Sequence, residues 1–259
     1  MDRRGFLALV AALALAPLRG ARAAEQRTGT FDAEVGILYG ALSFRLAGTI
    51  HETLDRDAGR YDVKIRGQGT GIANAVDSLG VWRDGRWAPS RTGAVFVVYG
   101  RESRTEVTYD YGQRTIEYHN RSETFLLRRL RVTDDSVTIP ERMHVDDVVS
   151  ATLNYAGGLW PAQPDGTLLT HVVRRRRAAT EGPDDVEKSY RAELVPFVLK
   201  VVPDPETGRP TALFDLSRFS SWAREDRPAR IVFDVHRRPQ TITSSLMLGT
   251  SVAIRITGT

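Results

Sequence analysis

Cysteine is absent from the 259-residue chain. Disulfide bonds, thiolate metal sites and catalytic thiols are therefore excluded, and so is a lipoprotein anchor, which needs a cysteine to carry the lipid. No stretch reaches the roughly 20 apolar residues that a transmembrane helix requires, so we expect no transmembrane anchor in the mature chain. The patterns G-x-S-x-G, H-E-x-x-H and Walker A, which mark common catalytic and nucleotide sites, are also missing.

An excess of charge is missing from most of the chain. The formal net charge is +4, and residues 1–23, with four arginines and one aspartate, supply +3 of it. The remainder therefore carries +1. Nucleic-acid binding depends on clustered positive charge, so the sequence predicts no nucleic-acid partner. The composition, 41% hydrophobic and 26% charged, is typical of a folded globular domain.

The first 23 residues have the pattern of an export signal. A pair of arginines followed by x-Phe-Leu resembles the twin-arginine export motif and comprises Arg3, Arg4, Phe6 and Leu7. The apolar run that follows is too short to span a bilayer. The small-x-small pattern formed by Ala21 and Ala23 predicts cleavage near Ala23 and Ala24, so that the mature chain begins near Ala24. The resemblance implies the twin-arginine machinery as a partner and the periplasm as the destination; a retained signal that tethers the chain is the alternative.

The rest of the chain, residues 24–259, is predicted to form a single, mainly β domain with an antiparallel sheet and two or three short helices. Tyr61, Val63 and Ile65 alternate with charged residues, which is typical of a strand with one wet face. Asp84-Gly85 and Tyr111-Gly112-Gln113 predict hairpin turns. The apolar run 94–99 predicts a strand buried on both faces. Three further expectations concern strands in the second half: one with Ile231, Phe233 and Val235, a closing hairpin around Gly249, and an edge or bulge at Pro196.

One helix is predicted with particular clarity, over residues 145–155. Its apolar positions recur at helical spacing: Val145, Val148, Val149, Thr152 and Leu153. Asp146 and Asp147 fall in the predicted first turn, where the helix dipole favours carboxylates, and Gly157-Gly158 ends the helix. We interpret it as a plug between two β halves.

Two shorter helices are expected. One covers residues 72–79, after the glycine-rich stretch 67–71. That stretch does not predict a dinucleotide site, because Ile72 stands where G-x-G-x-x-G requires glycine and no parallel β-α-β unit surrounds it. The other follows Asp215 and carries Leu216, Phe219 and Trp222.

Candidate chemistry is sparse. His144 with Asp146 and Asp147 has the ligand types of a metal site, but the acids are also explained by the helix N-terminus. Ser150 has no motif that marks it as a nucleophile. The run Arg174–Arg177 is either an anion-binding patch or a solvated loop balanced by later acids, Asp184, Asp185 and Glu187. No catalytic residue, metal or cofactor is predicted.

Four aromatic residues flank the two predicted helical stretches: Trp82, Trp87, Tyr155 and Trp160. In a curled sheet they would line a concave apolar cavity. The alternative is that they are core residues, since large aromatic side chains supply much of a core's buried area.

Three stretches, in this order along the chain, resemble an exported bacterial family known as domain of unknown function 3108. They are the glycine-bracketed segment 35–40, the D-x-x-S-A segment 147–151, and Asp234–Pro239 followed by Ile242 and Gly249. The resemblance implies a strongly curved antiparallel sheet, a half-barrel or clam-like shape, that cups a central helix, similar to periplasmic lipoprotein carriers. The family has no agreed activity, so the resemblance assigns no catalytic residue.

Three functions remain open at this point. The first is a non-enzymatic periplasmic protein that binds an apolar or envelope-derived ligand, such as a lipid, on its concave β surface. The second is an envelope scaffold or assembly partner without a ligand. The third is a cofactor- or metal-dependent periplasmic enzyme that is loaded before export.

Overall fold

The computed structural model describes residues 23–37, 42–124, 127–176, 181–182, 184–216, 226–246 and 250–258. These residues form one α-helix and fifteen β-strands, so the mainly β prediction is confirmed. The first eight strands are β1 (Glu25–Ile37), β2 (Leu42–Asp55), β3 (Arg60–Gly69), β4 (Ile72–Arg83), β5 (Arg86–Val98), β6 (Arg101–Asp110), β7 (Thr115–Glu123) and β8 (Leu130–Thr138). The others, with the helix, are β9 (Val145–Asp146), α1 (Val148–Ala156), β10 (Leu168–Arg175), β11 (Ala192–Pro203), β12 (Pro210–Phe214), β13 (Ala229–Phe233), β14 (Pro239–Ser245) and β15 (Ser251–Thr257).

All fifteen strands belong to one sheet, which is not closed. Its order runs from β8 back through β1, then across to β15 and back through β14 to β9. The pairing of β1 with β15 joins the two ends of the chain, and every pairing is antiparallel except that of β9 with β10. Apart from β8 and β9, which lie at opposite ends of the order, strands that are consecutive in sequence are neighbours in the sheet, as short hairpin connections require.

The β8 end of this strand order also contacts the segment that leads into β11. Thr133 of β8 forms an isolated parallel bridge with Tyr190. Asp135, also in β8, accepts a hydrogen bond from the backbone of Ala192 at 2.8 Å. It also forms an ion pair with Arg191 at 3.0 Å. These contacts place the edge strand β8 beside the start of β11.

The hairpin turns follow the local sequence. Asp84 and Gly85 connect β4 to β5 with φ of 51° and 79°, the two positive values of a type I′ turn. The hairpin around residues 111–113 is also present, as β6 and β7. The closing hairpin is present as β14 and β15, although Gly249 itself lies outside the described residues.

The helix predicted over residues 72–79 is wrong. This segment begins β4, which pairs antiparallel with β3 through a turn at Thr70 and Gly71, where Gly71 has a φ of 70°. The glycines end one strand and start the next, so the context of a nucleotide site is absent there.

Four other expectations from the sequence can be compared with the structure. The apolar run 94–99 is not buried on both faces, since Phe96 is 42% exposed and Tyr99 57% exposed. Val235 does not continue its strand; it lies in the turn after β13 and is 90% exposed. Pro196 lies in the part of β11 that pairs with β10 alone, which agrees with the expected edge position. Of the helix expected after Asp215, Phe219 and Trp222 lie outside the described residues.

The core includes an aromatic ring packed on strand glycines. The ring of Phe31, in β1, lies over Gly48 of β2 and Gly67 of β3; a Cβ atom on Gly48 would lie 2.5 Å from two ring carbons and 2.2 Å from the carbonyl oxygen of Arg66. Both distances are far below van der Waals contact, so the position requires glycine. Phe31 is 7% exposed and forms a buried cluster with Ala33, Phe44, Leu46 and Ile72.

We predict that Gly48→Ala lowers the free energy of unfolding by about 1–3 kcal/mol, because the added methyl group overpacks this contact. The measurement is urea unfolding followed by tryptophan fluorescence. Gly93→Ala in β5 is the matched control, since a Cβ there meets nothing within 4 Å, and it should change stability by less than about 0.5 kcal/mol. Equal effects of the two substitutions would contradict the packing argument.

Candidate functional site

Helix α1 begins three residues later than the sequence predicts. Val145 and Asp146 form strand β9, which pairs with His171 and Val172 of β10. Asp147 is the N-cap: its side chain accepts a hydrogen bond from the backbone of Ser150 at 2.6 Å, and the hydroxyl of Ser150 accepts from the backbone of Asp147 at 3.0 Å. This capping box fixes the start of the helix. Gly157 ends it, as expected.

The buried faces of α1 also differ from the predicted apolar stripe. Val148 is 67% exposed, whereas six of the nine helical residues are buried: Val149, Ser150, Ala151, Leu153, Asn154 and Tyr155. Val149 and Leu153 pack on one side with residues of β2, β3 and β5. Ala151 and Tyr155 pack on the other side with residues of β11 to β13. The helix therefore contacts both arms of the sheet, one formed by β1 to β8 and the other by β9 to β15. It is the one α-helix among the described residues.

The carboxylate of Asp146 is fully buried at the base of this helix and accepts five hydrogen bonds. On Oδ1 the donors are Ser150 Oγ at 2.7 Å, Asn154 Nδ2 at 2.8 Å and His144 Nε2 at 3.1 Å. On Oδ2 they are Thr170 Oγ1 at 2.5 Å and Arg86 Nη2 at 3.0 Å. His144 Nε2 also faces the carbonyl oxygen of Trp87 at 3.1 Å, so this nitrogen carries the proton.

Asp147 continues this network into β4 and β5. Its Oδ2 accepts hydrogen bonds from Ser78 Oγ and Thr92 Oγ1, both at 2.5 Å, and Ser78 contacts the hydroxyl of Tyr61 at 3.1 Å. Burial raises the pKa of Asp147, and the hydrogen bonds from Ser78, Thr92 and Ser150 oppose that rise. We refer to the two aspartates and their side-chain donors as the buried polar cluster.

The buried polar cluster does not have the geometry of a catalytic or metal site. Ser150 is 0% exposed and its hydroxyl donates to the carboxylate of Asp146, so it is out of reach of a substrate. The oxygens of Asp146 are already occupied by donors. The described part of the chain contains no group of three His, Asp or Glu side chains arranged to hold a metal ion. The cluster instead ties α1 to β4, β5 and β10, which explains both aspartates more fully than the helix dipole does.

A cavity of about 460 Å³ lies beside the C-terminal half of α1, between the β4–β5 hairpin, the end of β2 and the turn that joins β13 to β14. This volume is within the range of small-molecule sites. Its apolar lining consists of leucine and tryptophan side chains together with two smaller residues: Leu54, Trp82, Trp87, Leu153, Leu159, Ala156 and Val235. Its polar lining is basic and consists of Arg27, Arg56, His236, Arg237 and Arg238.

The four aromatic residues predicted together are divided by the helix. Trp82 and Trp87 line the cavity, with ring centroids 5.0 Å apart and planes at 81°. Trp82 is 41% exposed, whereas Trp87 is 2% exposed. Tyr155 and Trp160 pack on the opposite side, in the core with Phe233. Two of the four therefore line a cavity, and three of the four are core residues.

Two of the cavity arginines are paired with acids. Arg238 makes a bidentate ion pair with Glu52 at 2.6 and 2.8 Å, and both side chains are less than 10% exposed. Burial opposes the charge of Arg238, but Glu52 overcomes this effect and raises the pKa of the guanidinium. Arg27 donates to Glu25 at 2.5 and 2.7 Å. Within the described ranges, Arg56 and Arg237 form no hydrogen bond or ion pair through their side chains.

The first two arginines of the run at 174–177 form neither a free patch nor a solvated loop, because each pairs with a glutamate other than the acids expected from the sequence. Arg174 pairs with Glu193 at 2.7 Å, and Arg175 pairs with Glu181 at 2.6 Å. Arg175 also lies over the ring of Tyr190, 4.4 Å from its centroid. Arg177 lies outside the described residues.

The export-signal residues Arg3, Arg4, Phe6, Leu7 and Ala21 lie outside the described residues, while Ala23 and Ala24 are exposed directly before β1. No described helix has the length and apolar character needed to cross a bilayer.

Comparison with known proteins gives little direct guidance. No family model and no curated protein matches the chain. Among solved structures, the chain is similar to a β-barrel-like protein of domain of unknown function DUF1849 from Brucella abortus. The two are 10% identical, with a TM-score of 0.39, over 92% of this chain and 98% of that one.

Proposed function

We propose that this chain is an exported, periplasmic, non-enzymatic protein that binds an apolar or amphiphilic ligand derived from the cell envelope. The observation that carries the proposal is the cavity beside α1, with indole and leucine side chains on one part of its wall. Such a lining is typical of sites that recognise apolar groups by burial. Export follows from the twin-arginine pattern at residues 3–7, and the periplasm is where envelope lipids are accessible.

The proposal includes the shape and family expected from the sequence. A half-barrel that cups α1 is supported by the helix packing against both arms of the sheet and by the contacts between β8 and the start of β11. Membership of the domain of unknown function 3108 family is supported by the three stretches and their order. The second stretch contains Asp147 and Ser150, which form the capping box.

Binding is favoured over catalysis by the chemistry of the wall. The described lining residues offer guanidinium groups, an imidazole and apolar surface, but no serine, threonine or carboxylate that would serve as a nucleophile or as a partner for His236. Guanidinium groups hold and orient anions, whereas their pKa is too high for proton transfer near neutral pH.

Native mass spectrometry of mature protein recovered from the producing bacterium's periplasm is the first test. We expect an added mass that is lost on denaturation. Recombinant protein is then titrated with a fluorescent acyl probe, and saturable binding at one site is expected. A bare polypeptide mass together with no saturable uptake would refute ligand binding.

The cavity itself is tested by replacing Trp82. Trp82→Ala should lower the affinity for the acyl probe by about tenfold, because the substitution removes a partly exposed indole from the cavity wall. Phe96→Ala is the control: it is equally exposed, at 42% against 41%, and lies on β5 but does not line the cavity. If both substitutions weaken binding alike, the probe binds elsewhere.

A second candidate, an envelope scaffold without a ligand, is favoured by exposed apolar side chains on and near the edge strand β8. Leu127, Leu130 and Val132 are 58%, 43% and 49% exposed. A partner that copurifies with the wild-type protein and is lost from Leu130→Ser/Val132→Thr would support this function.

A further inference from the structure

We propose that the cavity binds an anionic amphiphile, whose carboxylate or phosphate group contacts Arg56 and Arg237 while its apolar part lies against Leu54, Trp82 and Leu159. This inference rests on the proposed function and specifies the ligand class. It starts from the charge of the wall: four arginines and a histidine line the cavity, and none of the described lining residues is acidic.

Acids near the cavity pair with two of these arginines, Arg238 and Arg27. Glu52 is fully engaged with Arg238, each carboxylate oxygen accepting from one guanidinium nitrogen. Glu25 accepts from Arg27 through one oxygen. The pKa of Glu25 is lowered by that hydrogen bond first, and the charge of Arg56 contributes to the same shift. Two positive charges, on Arg56 and Arg237, are thus left facing the cavity.

Backbone hydrogen bonds fix the turn that carries Arg237 on the cavity wall. The side chain of Asp234 accepts hydrogen bonds from the backbone of His236 and Arg238, both at 2.8 Å, and Arg237 donates to the carbonyl of Asp234 at 3.1 Å. The guanidinium lies against Gly158, just beyond the C-terminus of α1. The negative end of the helix dipole favours a cation at this point, so the charge is held where a ligand's anionic group would enter.

Both parts of an amphiphile find a matching surface. Guanidinium groups bind carboxylate and phosphate through paired hydrogen bonds. The adjacent leucine and tryptophan side chains accept a hydrocarbon chain. Arg56 and Arg237 are exposed residues, so a purely apolar ligand would leave their guanidinium groups in water and unused, and a small free anion would leave the apolar wall unused.

The turn at Arg237 permits a variant that removes the charge without straining the backbone. Arg237 has a φ of 60°, a conformation that glycine adopts more readily, so Arg237→Gly removes the charge and relaxes the backbone. Arg114→Gly is the matched control: Arg114 has a φ of 54° in the β6–β7 turn and does not line the cavity. Arg56→Gln is combined with Arg237→Gly to remove both charges.

The experiment is calorimetric titration of the purified mature chain with four ligands that share one tail: dodecanoate, dodecyl phosphate, dodecanol and dodecyltrimethylammonium. Inorganic phosphate and acetate complete the set. Dodecanoate and dodecyl phosphate should bind at least about tenfold more tightly than dodecanol, since a hydrogen-bonded ion pair is worth about one order of magnitude or more. The double variant should lose this preference, each single variant should lose part of it, and Arg114→Gly should retain it.

Three results would overturn the inference, and they differ in what they leave standing. If dodecanoate and dodecanol bind equally, recognition of the anion fails while the apolar-ligand function survives. If none of the tailed ligands binds, the proposed function fails as well. If inorganic phosphate binds as tightly as dodecyl phosphate, the site takes a free anion and the tail is irrelevant.

Discussion

Replacing Asp146 with alanine should lower the free energy of unfolding by about 3–5 kcal/mol, a large fraction of a domain's total stability. The substitution removes one acceptor from five donors, of which only His144 Nε2 and Asn154 Nδ2 keep the carbonyl oxygen of Trp87. One of the five donors is the guanidinium of Arg86, whose side chain is only 12% exposed, so a buried charge loses its partner. Because the donors come from α1, β5 and β10, the loss should loosen the attachment of the helix to the sheet. Urea unfolding, followed by tryptophan fluorescence, measures the change.

Asp146→Asn and Asp134→Ala test whether the lost stability comes from the buried hydrogen bonds of Asp146 or from the loss of any acidic side chain. Asparagine keeps the size of Asp146 but turns an N–H group toward donors on one side, so it should remain strongly destabilising, by about 2–4 kcal/mol. Asp134 is an exposed acid of β8 that pairs with His119, and its removal should change stability by less than about 1 kcal/mol. A stable Asp146→Ala variant would show that the buried polar cluster does not hold the helix.

The fold was predictable from the sequence where the determining interactions are local. Turn residues such as Asp84-Gly85 fix positive φ values and hence a hairpin, whatever the rest of the chain does. Residues 72–79 were mistaken for a helix because their pattern is compatible with either element. The outcome was decided by pairing with β3 and β5 on both sides, a tertiary effect.

The start of α1 was mispredicted for a related reason. Apolar spacing continues from Val148 back to Val145, but Val145 and Asp146 gain more from β10 and from the buried donors than from another helical turn. The donors to the two aspartates include Ser78, Arg86 and Thr170, which are 24 to 69 positions away. No short-range pattern marks such partners, so the sequence indicated acids at a helix end and missed the network.

The basic side of the cavity was missed because its arginines are distant in sequence. Arg56 follows β2 and Arg237 follows β13, and they line one cavity because β1 pairs with β15 and joins the two arms of the sheet. Aromatic residues predict the cavity better than the arginines do, since Trp82 and Trp87 are close in sequence and face one another across a short hairpin. Tyr155 and Trp160 fit the same signal and are core residues, which shows that composition alone does not separate a wall from a core.

The second large effect is expected at the ion pair between Glu52 and Arg238, which joins positions 186 residues apart. Glu52→Ala should lower the free energy of unfolding by about 3–5 kcal/mol, because it leaves a buried guanidinium without its acceptor. Arg238→Ala should have a similar effect through the buried carboxylate. The double variant should be much less unstable than the sum of the two, with a coupling energy of about 2–3 kcal/mol.

Urea unfolding of the four proteins gives this double-mutant cycle, and an exposed ion pair on the same sheet provides its reference. Arg66 and Asp77 lie 2.6 Å apart but are 45% and 50% exposed, so their cycle should give a coupling energy below about 1 kcal/mol. A similar coupling for both pairs would mean that burial does not strengthen the first. A large coupling for Glu52 and Arg238 alone would show that this buried pair ties the β13–β14 turn, which carries Arg237, to β2.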